Sequence, residues 1–162
     1  MPVAQRAPLT PEKAWTRAQR YCAFQERSQQ EVRDKLYAWG LHRRDVEELI
    51  SRLIAENFLK EERFAEAFAG GKFRIKKWGR NKIRQALKMK QVSEPLIRQA
   101  LASIPEREYR VALQKLLSER SRKCTDTDPL KRRHRVASYA VARGFEPDLV
   151  WEMLGEDGWG LL

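Results

Sequence analysis

The sequence predicts an all-α protein, an elongated tandem array of three three-helix (helix-turn-helix-like) repeats. Three observations predict this fold class. No segment alternates apolar and polar residues with the two-residue period of a half-buried strand. Helix-capping residues and helix breakers recur along the whole chain. Apolar residues also recur with one and the same spacing in three separate places.

The apolar spacing identifies the repeat. Three sets of five residues share the internal steps 4, 5, 5 and 4, and successive sets are offset by 51 and 53 positions. The sets are Val32, Leu36, Leu41, Val46 and Ile50; Ile83, Leu87, Val92, Ile97 and Leu101; and Val136, Ala140, Phe145, Val150 and Leu154. Each set predicts a helix, a short turn and a second helix, with a further helix in front. A single irregular helical bundle is the alternative interpretation.

The breakers divide the chain into five segments. These are a flexible N-terminal arm at 1–10, repeat 1 at 11–58, a basic repeat 2 at 59–104, repeat 3 at 105–155 and a C-terminal tail at 156–162. Modules of about 50 residues are too small to bury much surface alone, so neighbours must share contacts. An array of this kind offers a long surface, which suits a large, extended partner.

The leading helix of each repeat is predicted from its start signals. Thr10 can cap the first helix and Pro11 suits its first position, where the missing N–H is not needed. The three leading helices are predicted at Pro11 to Gln25, Glu61 to Lys77 and Pro105 to Arg120.

Two shorter motifs complete the assignment of helices. Ser28, followed three residues later by Glu31, predicts a capping box at the start of the next helix. Gly70-Gly71-Lys72 lacks the spacing of a phosphate-binding loop and is predicted to interrupt the second leading helix.

Charge indicates an anionic partner. The 162 residues include 33 Lys and Arg and 22 Asp and Glu, a net charge of +11. Residues 67–93 contain nine basic side chains and no acidic one. A concentration of positive charge of this kind favours nucleic acid. No base-reading motif is present, so we expect binding to be largely non-specific and sensitive to salt.

The candidate residues for binding nucleic acid or a nucleoprotein filament lie in repeats 2 and 3. In repeat 2 they are Lys72, Arg74, Lys76, Lys77, Trp78, Arg80, Lys82, Arg84, Lys88 and Lys90. In repeat 3 they are Lys131, Arg132, Arg133 and Arg135.

Helical spacing gives part of this set a definite shape. Arg80, Arg84 and Lys88 recur every four residues and form a basic ridge beside the apolar stripe. A solvated surface is the alternative interpretation of the ridge. Trp78 either stacks on bases or packs under the helix that it precedes.

The residue inventory argues against an enzyme. His42 and His134 are the only histidines, and neither has a Ser, Cys or carboxylate arrangement around it. No catalytic residue and no cofactor is therefore predicted, and a nuclease or an NTPase is disfavoured. Asp126-Thr127-Asp128 could hold a divalent ion, but an N-cap at Asp128 explains it more simply, so no metal site is predicted.

Cysteine usage and hydropathy point to the cytoplasm. Cys22 and Cys124 lie far apart without the companions of a zinc site or a disulfide framework. No window approaches the roughly 18 apolar residues of a membrane span, and the N-terminal residues lack the apolar core of a secretory signal. We expect a cytoplasmic monomer that does not bind membranes.

Several motifs resemble the RecX family of bacterial regulatory proteins. They are Tyr21-Cys22-Ala23 with Glu26-Arg27-Ser28, Phe58-Leu59 with Glu62-Arg63-Phe64-Ala65, Lys77-Trp78-Gly79, and Arg143-Gly144-Phe145. The similarity covers about residues 14–154. Two positions depart from the family pattern, because Lys60-Glu61 replaces an acidic pair and Lys90-Gln91 replaces a Lys-Gly turn.

The resemblance implies both a fold and a function. The implied fold is three tandem three-helix modules. The implied role is modulation, usually inhibition, of the RecA recombinase from within the helical groove of the RecA–DNA filament. Family members are expected to impede ATP hydrolysis, strand exchange and filament growth, and to bind single- and double-stranded DNA. A helical DNA-binding protein that acts without a recombinase is the alternative.

Overall fold

The structure, a computed structural model, describes residues 7–155, and these form nine α-helices and no strand. The helices are α1 (Pro11–Phe24), α2 (Gln29–Ala38), α3 (Arg43–Ala55), α4 (Glu61–Arg74), α5 (Arg80–Met89), α6 (Glu94–Ala102), α7 (Glu106–Lys123), α8 (Pro129–Ala142) and α9 (Pro147–Leu154). The prediction of an all-α array of three-helix repeats is confirmed.

The apolar repeat forms the core. All fifteen of its residues are buried, as their shared spacing requires. The turn in the middle of each set also repeats, because Gly40, Gln91 and Gly144 have φ angles of 88°, 60° and 102°. In each turn the next N–H donates to a carbonyl five residues back, at 3.2 Å. These are Schellman turns, and Gln91 adopts the left-handed conformation that glycine provides in the other two.

Both predicted caps in repeat 1 are present. The Thr10 hydroxyl accepts from the N–H of Lys13 at 3.3 Å. Ser28 and Glu31 form the reciprocal hydrogen bonds of a capping box, with lengths of 3.0 and 3.2 Å. These contacts fix the directions in which α1 and α2 leave their loops.

Three predicted features of the leading helices were wrong in detail. The glycine pair does not interrupt α4, because Gly70 is buried and packing outweighs the weak helix propensity of glycine. α4 ends at Arg74 instead of Lys77, since Lys77 has a left-handed φ of 58°. α7 continues to Lys123, three residues beyond the predicted end.

The hydrophobic core is divided unequally among the repeats. α1–α3 and Leu59 enclose one buried cluster. α4–α9 share a second cluster, so repeats 2 and 3 form one packed unit. The contacts between repeats 1 and 2 include two ion pairs, Lys90 with Glu31 at 2.7 Å and Arg63 with Glu26 at 3.1 Å.

Tyr109 occupies the centre of the junction between repeats 2 and 3. Its ring lies 5.7 Å from that of Phe73 and 5.2 Å from that of Phe145. The Arg80 backbone N–H donates to its hydroxyl at 3.0 Å, and the hydroxyl donates to Glu146. Burial, followed by the hydrogen bond to Glu146, raises the pKa of Tyr109 above its usual value.

Two glycines allow direct backbone contact at the same junction. The N–H of Gly79 donates to the carbonyl of Arg143, and the N–H of Asn81 donates to that of Gly144, both at 2.9 Å. A Cβ atom on Gly79 would lie 2.2 Å from the backbone nitrogen of Phe145. The loop between α4 and α5 is therefore held firmly against the turn between α8 and α9.

The ends of the chain are only partly described. Leu9, in the predicted arm at 1–10, packs on the first core, and its N–H donates to the carbonyl of Trp39 at 3.0 Å. Residues 1–6 and the predicted tail at 156–162 lie outside the described residues. Between residues 7 and 155, no helix combines the length and the apolar character needed to cross a membrane.

Candidate nucleic-acid interface

The predicted basic ridge is present on α5, but its first residue, Arg80, already forms ion pairs within the protein. The Arg80 guanidinium pairs with Glu106 at 2.5 Å and with Glu146 at 2.9 Å. Its Cζ atom also lies 3.7 Å from the centre of the Tyr109 ring. Arg80 thus connects repeat 2 to repeat 3, and its charge is already balanced by two carboxylates.

The other ridge cations also have acidic neighbours. Arg84 forms an ion pair with Glu94, and the Lys88 ammonium lies 4.0 Å from the same carboxylate. Lys90, just beyond the ridge, pairs with Glu31 across the joint between repeats 1 and 2. The sequence could not reveal these contacts, because the acidic partners come from other helices.

Two of the predicted arginines on α8 donate hydrogen bonds to backbone carbonyls. Arg132 donates to the carbonyl of Ser121, at the end of α7. Arg133 donates to the carbonyl of Gly155, and its Cζ atom lies 5.3 Å from the centre of the Trp151 ring. Both side chains therefore tie α8 to neighbouring segments.

The two aspartates of the Asp126-Thr127-Asp128 motif have separate contacts at the start of α8. The Asp128 carboxylate accepts from the N–H of Leu130 at 3.0 Å, which confirms the predicted N-cap. Asp126 pairs with Arg135 at 3.4 Å. Lys131 is exposed and forms no ion pair within residues 7–155.

In a second group of predicted residues, the basic side chains are not paired with carboxylates among the residues described. We call it the basic cluster: Lys72, Arg74, Lys76, Lys77, Trp78 and Lys82. Its five cations have no salt-bridge partner in the described part of the chain. The ammonium groups of Lys72 and Lys82 lie 4.9 and 4.7 Å from the centre of the Trp78 ring. Trp78 also packs on the second core, and base stacking stays a prediction.

A groove between α7 and α8 extends this positive surface. We call it the α7–α8 groove, and its volume is about 250 Å³. It is lined by Lys77, Ala112, Lys115, Leu116, Glu119, Arg120, Lys123, Tyr139 and Arg143. Lys77 belongs to both surfaces, and the Arg143 guanidinium donates to the carbonyl of Lys76. The groove and the basic cluster are therefore adjacent.

The sequence prediction missed the groove for a definite reason. Lys115, Glu119 and Lys123 recur every four residues, a spacing that would have indicated one helical face. Because α7 was predicted to end at Arg120, Lys123 lay outside the predicted helix. The contribution of Tyr139 depends on how α8 packs on α7, which no local pattern records.

Other kinds of site have little support in the residues described. No group of three His, Cys, Asp or Glu side chains is placed to bind a metal between residues 7 and 155. Cys22 and Cys124 are both free thiols. Burial raises the pKa of Cys22 to about 11, so this thiol stays protonated at neutral pH.

Comparison with known proteins identifies two of the repeats. The family model described as "RecX, first three-helix domain" matches residues 14–53, and "RecX, second three-helix domain" matches residues 61–101. "Regulatory protein RecX" of Prosthecochloris aestuarii is 32% identical over 145 residues, which cover 89% of this chain and 93% of that protein. The protein of the same name from Oceanobacillus iheyensis is 26% identical over 138 residues, but the chain spans only 51% of its length.

Two solved structures share the fold. The crystal structure of RecX from Lactobacillus salivarius has a TM-score of 0.79 and 19% identity, and the match covers 86% of this chain and 91% of that one. A second structure, described as regulatory protein RecX, has a TM-score of 0.80 and 22% identity, with coverage of 89% and 70%.

Proposed function

Because this chain belongs to the RecX family of regulatory proteins, we propose that it is a negative modulator of the RecA recombinase. It binds in the groove of the RecA–DNA filament and inhibits ATP hydrolysis, strand exchange and filament growth. It acts as a cytoplasmic monomer and is a regulatory protein, not an enzyme. The observation that carries the proposal is the match to a RecX protein over 93% of that protein's length.

The shape and charge of the molecule support this proposal. A row of three repeats can contact several neighbouring subunits of a polymer, whereas a compact globule of the same mass reaches fewer. The basic cluster supplies five cations that form no ion pair among the residues described, and such cations are available to the phosphates of bound DNA. Phosphate contacts carry no base information, so intrinsic DNA binding is non-specific.

The remaining predicted site residues have a smaller part in this proposal. Members of the basic ridge, Lys90 and the α8 arginines already contact carboxylates or backbone carbonyls. A phosphate would have to compete with those partners, and the gain per contact would be lower. Binding of nucleic acid or the filament by these residues stays a prediction, as does the division at 11–58, 59–104 and 105–155.

The proposal is tested by the specificity of inhibition. ATP hydrolysis by RecA on single-stranded DNA is measured with increasing amounts of the protein, beside an unrelated DNA-dependent ATPase on the same DNA. We expect the RecA rate to fall at protein concentrations that leave the second enzyme unaffected. Equal slowing of both enzymes would show that the protein acts by covering DNA and would overturn the proposal.

A stand-alone DNA-binding protein is the second candidate function. The observation that favours it is that the unpaired cations need no protein partner in order to bind phosphate. Equal slowing of the two ATPases in the preceding experiment is the result that this candidate predicts.

A further inference from the structure

The α7–α8 groove has an unusual balance of charge. Its lining includes five cations, Lys77, Lys115, Arg120, Lys123 and Arg143, and one acid, Glu119. None of these six side chains forms an ion pair with another residue that the structure describes. The ridge on α5 shows the opposite arrangement, because each of its cations lies within 4.0 Å of a carboxylate. Unbalanced positive charge in a concave site attracts an anion.

The floor of the groove is apolar and aromatic. Ala112 and Leu116 pack on the second core with one part of their surface still accessible. Tyr139 is half-buried beside them, and the Cζ atom of Arg120 lies 4.3 Å from the centre of its ring. A flat aromatic ring and a guanidinium plane are the groups on which nucleobases stack. A purely electrostatic site for phosphate would need no such floor.

Size and shape restrict the ligand further. Pockets for drug-sized molecules span roughly 300–1,000 Å³. The groove, at about 250 Å³, lies just below this range, so it suits one base with the rest of its nucleotide in the open mouth and is too small for a duplex. The bases of a duplex are also stacked on one another, so only a single strand can place a base on the floor.

We propose that the α7–α8 groove binds one nucleotide of a single-stranded nucleic acid, with the base on Tyr139 and Leu116 and the flanking phosphates on the cationic rim. The strand continues from Lys77 towards the basic cluster, where Lys72 and Lys82 flank Trp78. The proposal rests on the proposed function only in taking nucleic acid as the ligand. It gives the protein a preference for single strands that phosphate contacts alone would not produce.

The base contact is tested with two probes of equal charge. One is a fluorescent oligothymidylate of about 20 nucleotides, and the other is an abasic phosphodiester strand of the same length. Binding is followed by fluorescence anisotropy with the full chain alone. We expect oligothymidylate to bind roughly 5- to 150-fold more tightly, because one stacked base contributes about 1–3 kcal/mol. Equal affinity for the two strands would overturn the proposal without any variant.

Substitution of Tyr139 locates that contact. Tyr139→Leu keeps an apolar side chain and should reduce the preference for oligothymidylate towards one. Tyr139→Phe keeps the ring and should leave the preference unchanged. Thermal melts establish that both variants fold. An undiminished preference in a folded Tyr139→Leu variant would place base stacking elsewhere and refute the assignment.

Charge removal tests the rim against a matched control. The variant Lys115→Gln, Arg120→Gln and Lys123→Gln should flatten the log–log salt dependence by about 0.7 for each lost phosphate contact. The control variant Lys13→Gln, Arg20→Gln and Arg43→Gln removes the same charge from exposed positions of repeat 1 and should leave the slope unchanged. Equal slopes in the two variants would contradict the proposal.

Two further results separate the alternatives. If oligoglutamate displaced the strand as well as unlabelled oligothymidylate of equal charge, the groove would be a site for acidic peptide and the proposal would fail. The RecA assay on the parent protein separates this inference from the proposed function. Inhibition of RecA without a base preference refutes the groove site alone, whereas a base preference without inhibition refutes the proposed function alone.

Discussion

Tyr109 shows how one buried polar group can specify the packing of two repeats. Its ring supplies apolar area between Phe73 and Phe145, while its hydroxyl accepts from Arg80 and donates to Glu146. Buried polar atoms are stabilising only when they have partners, so the hydroxyl links α7 to the start of α5 and to the residue before α9.

The first prediction removes this hydroxyl alone. Tyr109→Phe keeps the ring but leaves the Arg80 N–H without its acceptor and the Glu146 carboxylate with the Arg80 guanidinium alone. We expect a loss of about 1–3 kcal/mol in the free energy of unfolding, measured by urea denaturation. Tyr37→Phe, at an exposed tyrosine, is the control and should change stability by less than about 0.5 kcal/mol. Equal stability of the two variants would show that the hydroxyl has no structural role.

Gly79 is the residue at which backbone contact between repeats can be tested. A Cβ atom there would lie 2.2 Å from the Phe145 nitrogen, closer than any real contact, so Gly79→Ala should lower the melting temperature by separating the two segments. Gly71→Ala is the matched control, because it lies inside α4 with open space around it. This control should gain about 0.4–1 kcal/mol. A Gly79→Ala variant as stable as the parent would contradict the close contact at the junction.

Among the helices, α5 shows that a large number of basic side chains does not by itself leave many of them free to bind phosphate. Its ridge has the spacing of a binding surface, yet Glu94, Glu106 and Glu146 neutralise it. The end of α4 and the loop before α5 hold four cations, against three in the ridge, and none of the four forms an ion pair among the residues described. We therefore expect DNA contacts to concentrate on the basic cluster.

Two double variants of equal charge test this expectation. Lys72→Gln with Lys76→Gln should reduce the salt slope of duplex binding by about 0.9 per lost phosphate contact. Arg84→Gln with Lys88→Gln should reduce it less, because both cations lie against Glu94, whose carboxylate offsets part of their charge. Slopes are obtained from affinities measured over a series of salt concentrations. A larger effect of the ridge variant would restore the ridge as the main contact surface.

The helices also show which parts of the structure a single sequence predicts. The fifteen apolar positions were predicted correctly, since burial repeats with the helical period and needs no knowledge of neighbours. The ends of α4 and α7 were not, because no breaker residue precedes the left-handed Lys77 or the end of α7 at Lys123. The position of each cation along the chain was predictable. The carboxylate that neutralises it, or the groove that exposes it, depends on tertiary packing.

At the scale of the molecule, the repeats differ in how they share buried side chains with their neighbours. Repeats 2 and 3 share buried side chains from Phe64 to Leu154. Repeat 1 has its own cluster and meets repeat 2 through ion pairs such as Lys90 with Glu31. Partly exposed ion pairs contribute little to stability, whereas a shared apolar core couples its elements into one cooperative unit.

Native-state hydrogen exchange should therefore reveal two cooperative units. We expect the amides of α1–α3 to exchange through one opening reaction and those of α4–α9 through another that requires more denaturant. Arg63→Ala, which removes the ion pair with Glu26, should leave the second unit unchanged. A single opening reaction for all nine helices would show that the joint is as cohesive as the core.

The pair Gly79 and Gly144 has a geometric consequence for the whole array. Because backbone meets backbone there, the rotation and rise from repeat 2 to repeat 3 are fixed. The joint between repeats 1 and 2 has ion pairs but no shared buried core. Of the two joints between the described repeats, we therefore expect the one between repeats 1 and 2 to be the more adjustable. A rigid array of repeats would fit a helical partner of one pitch alone. An array with one flexible joint can follow a partner whose pitch varies.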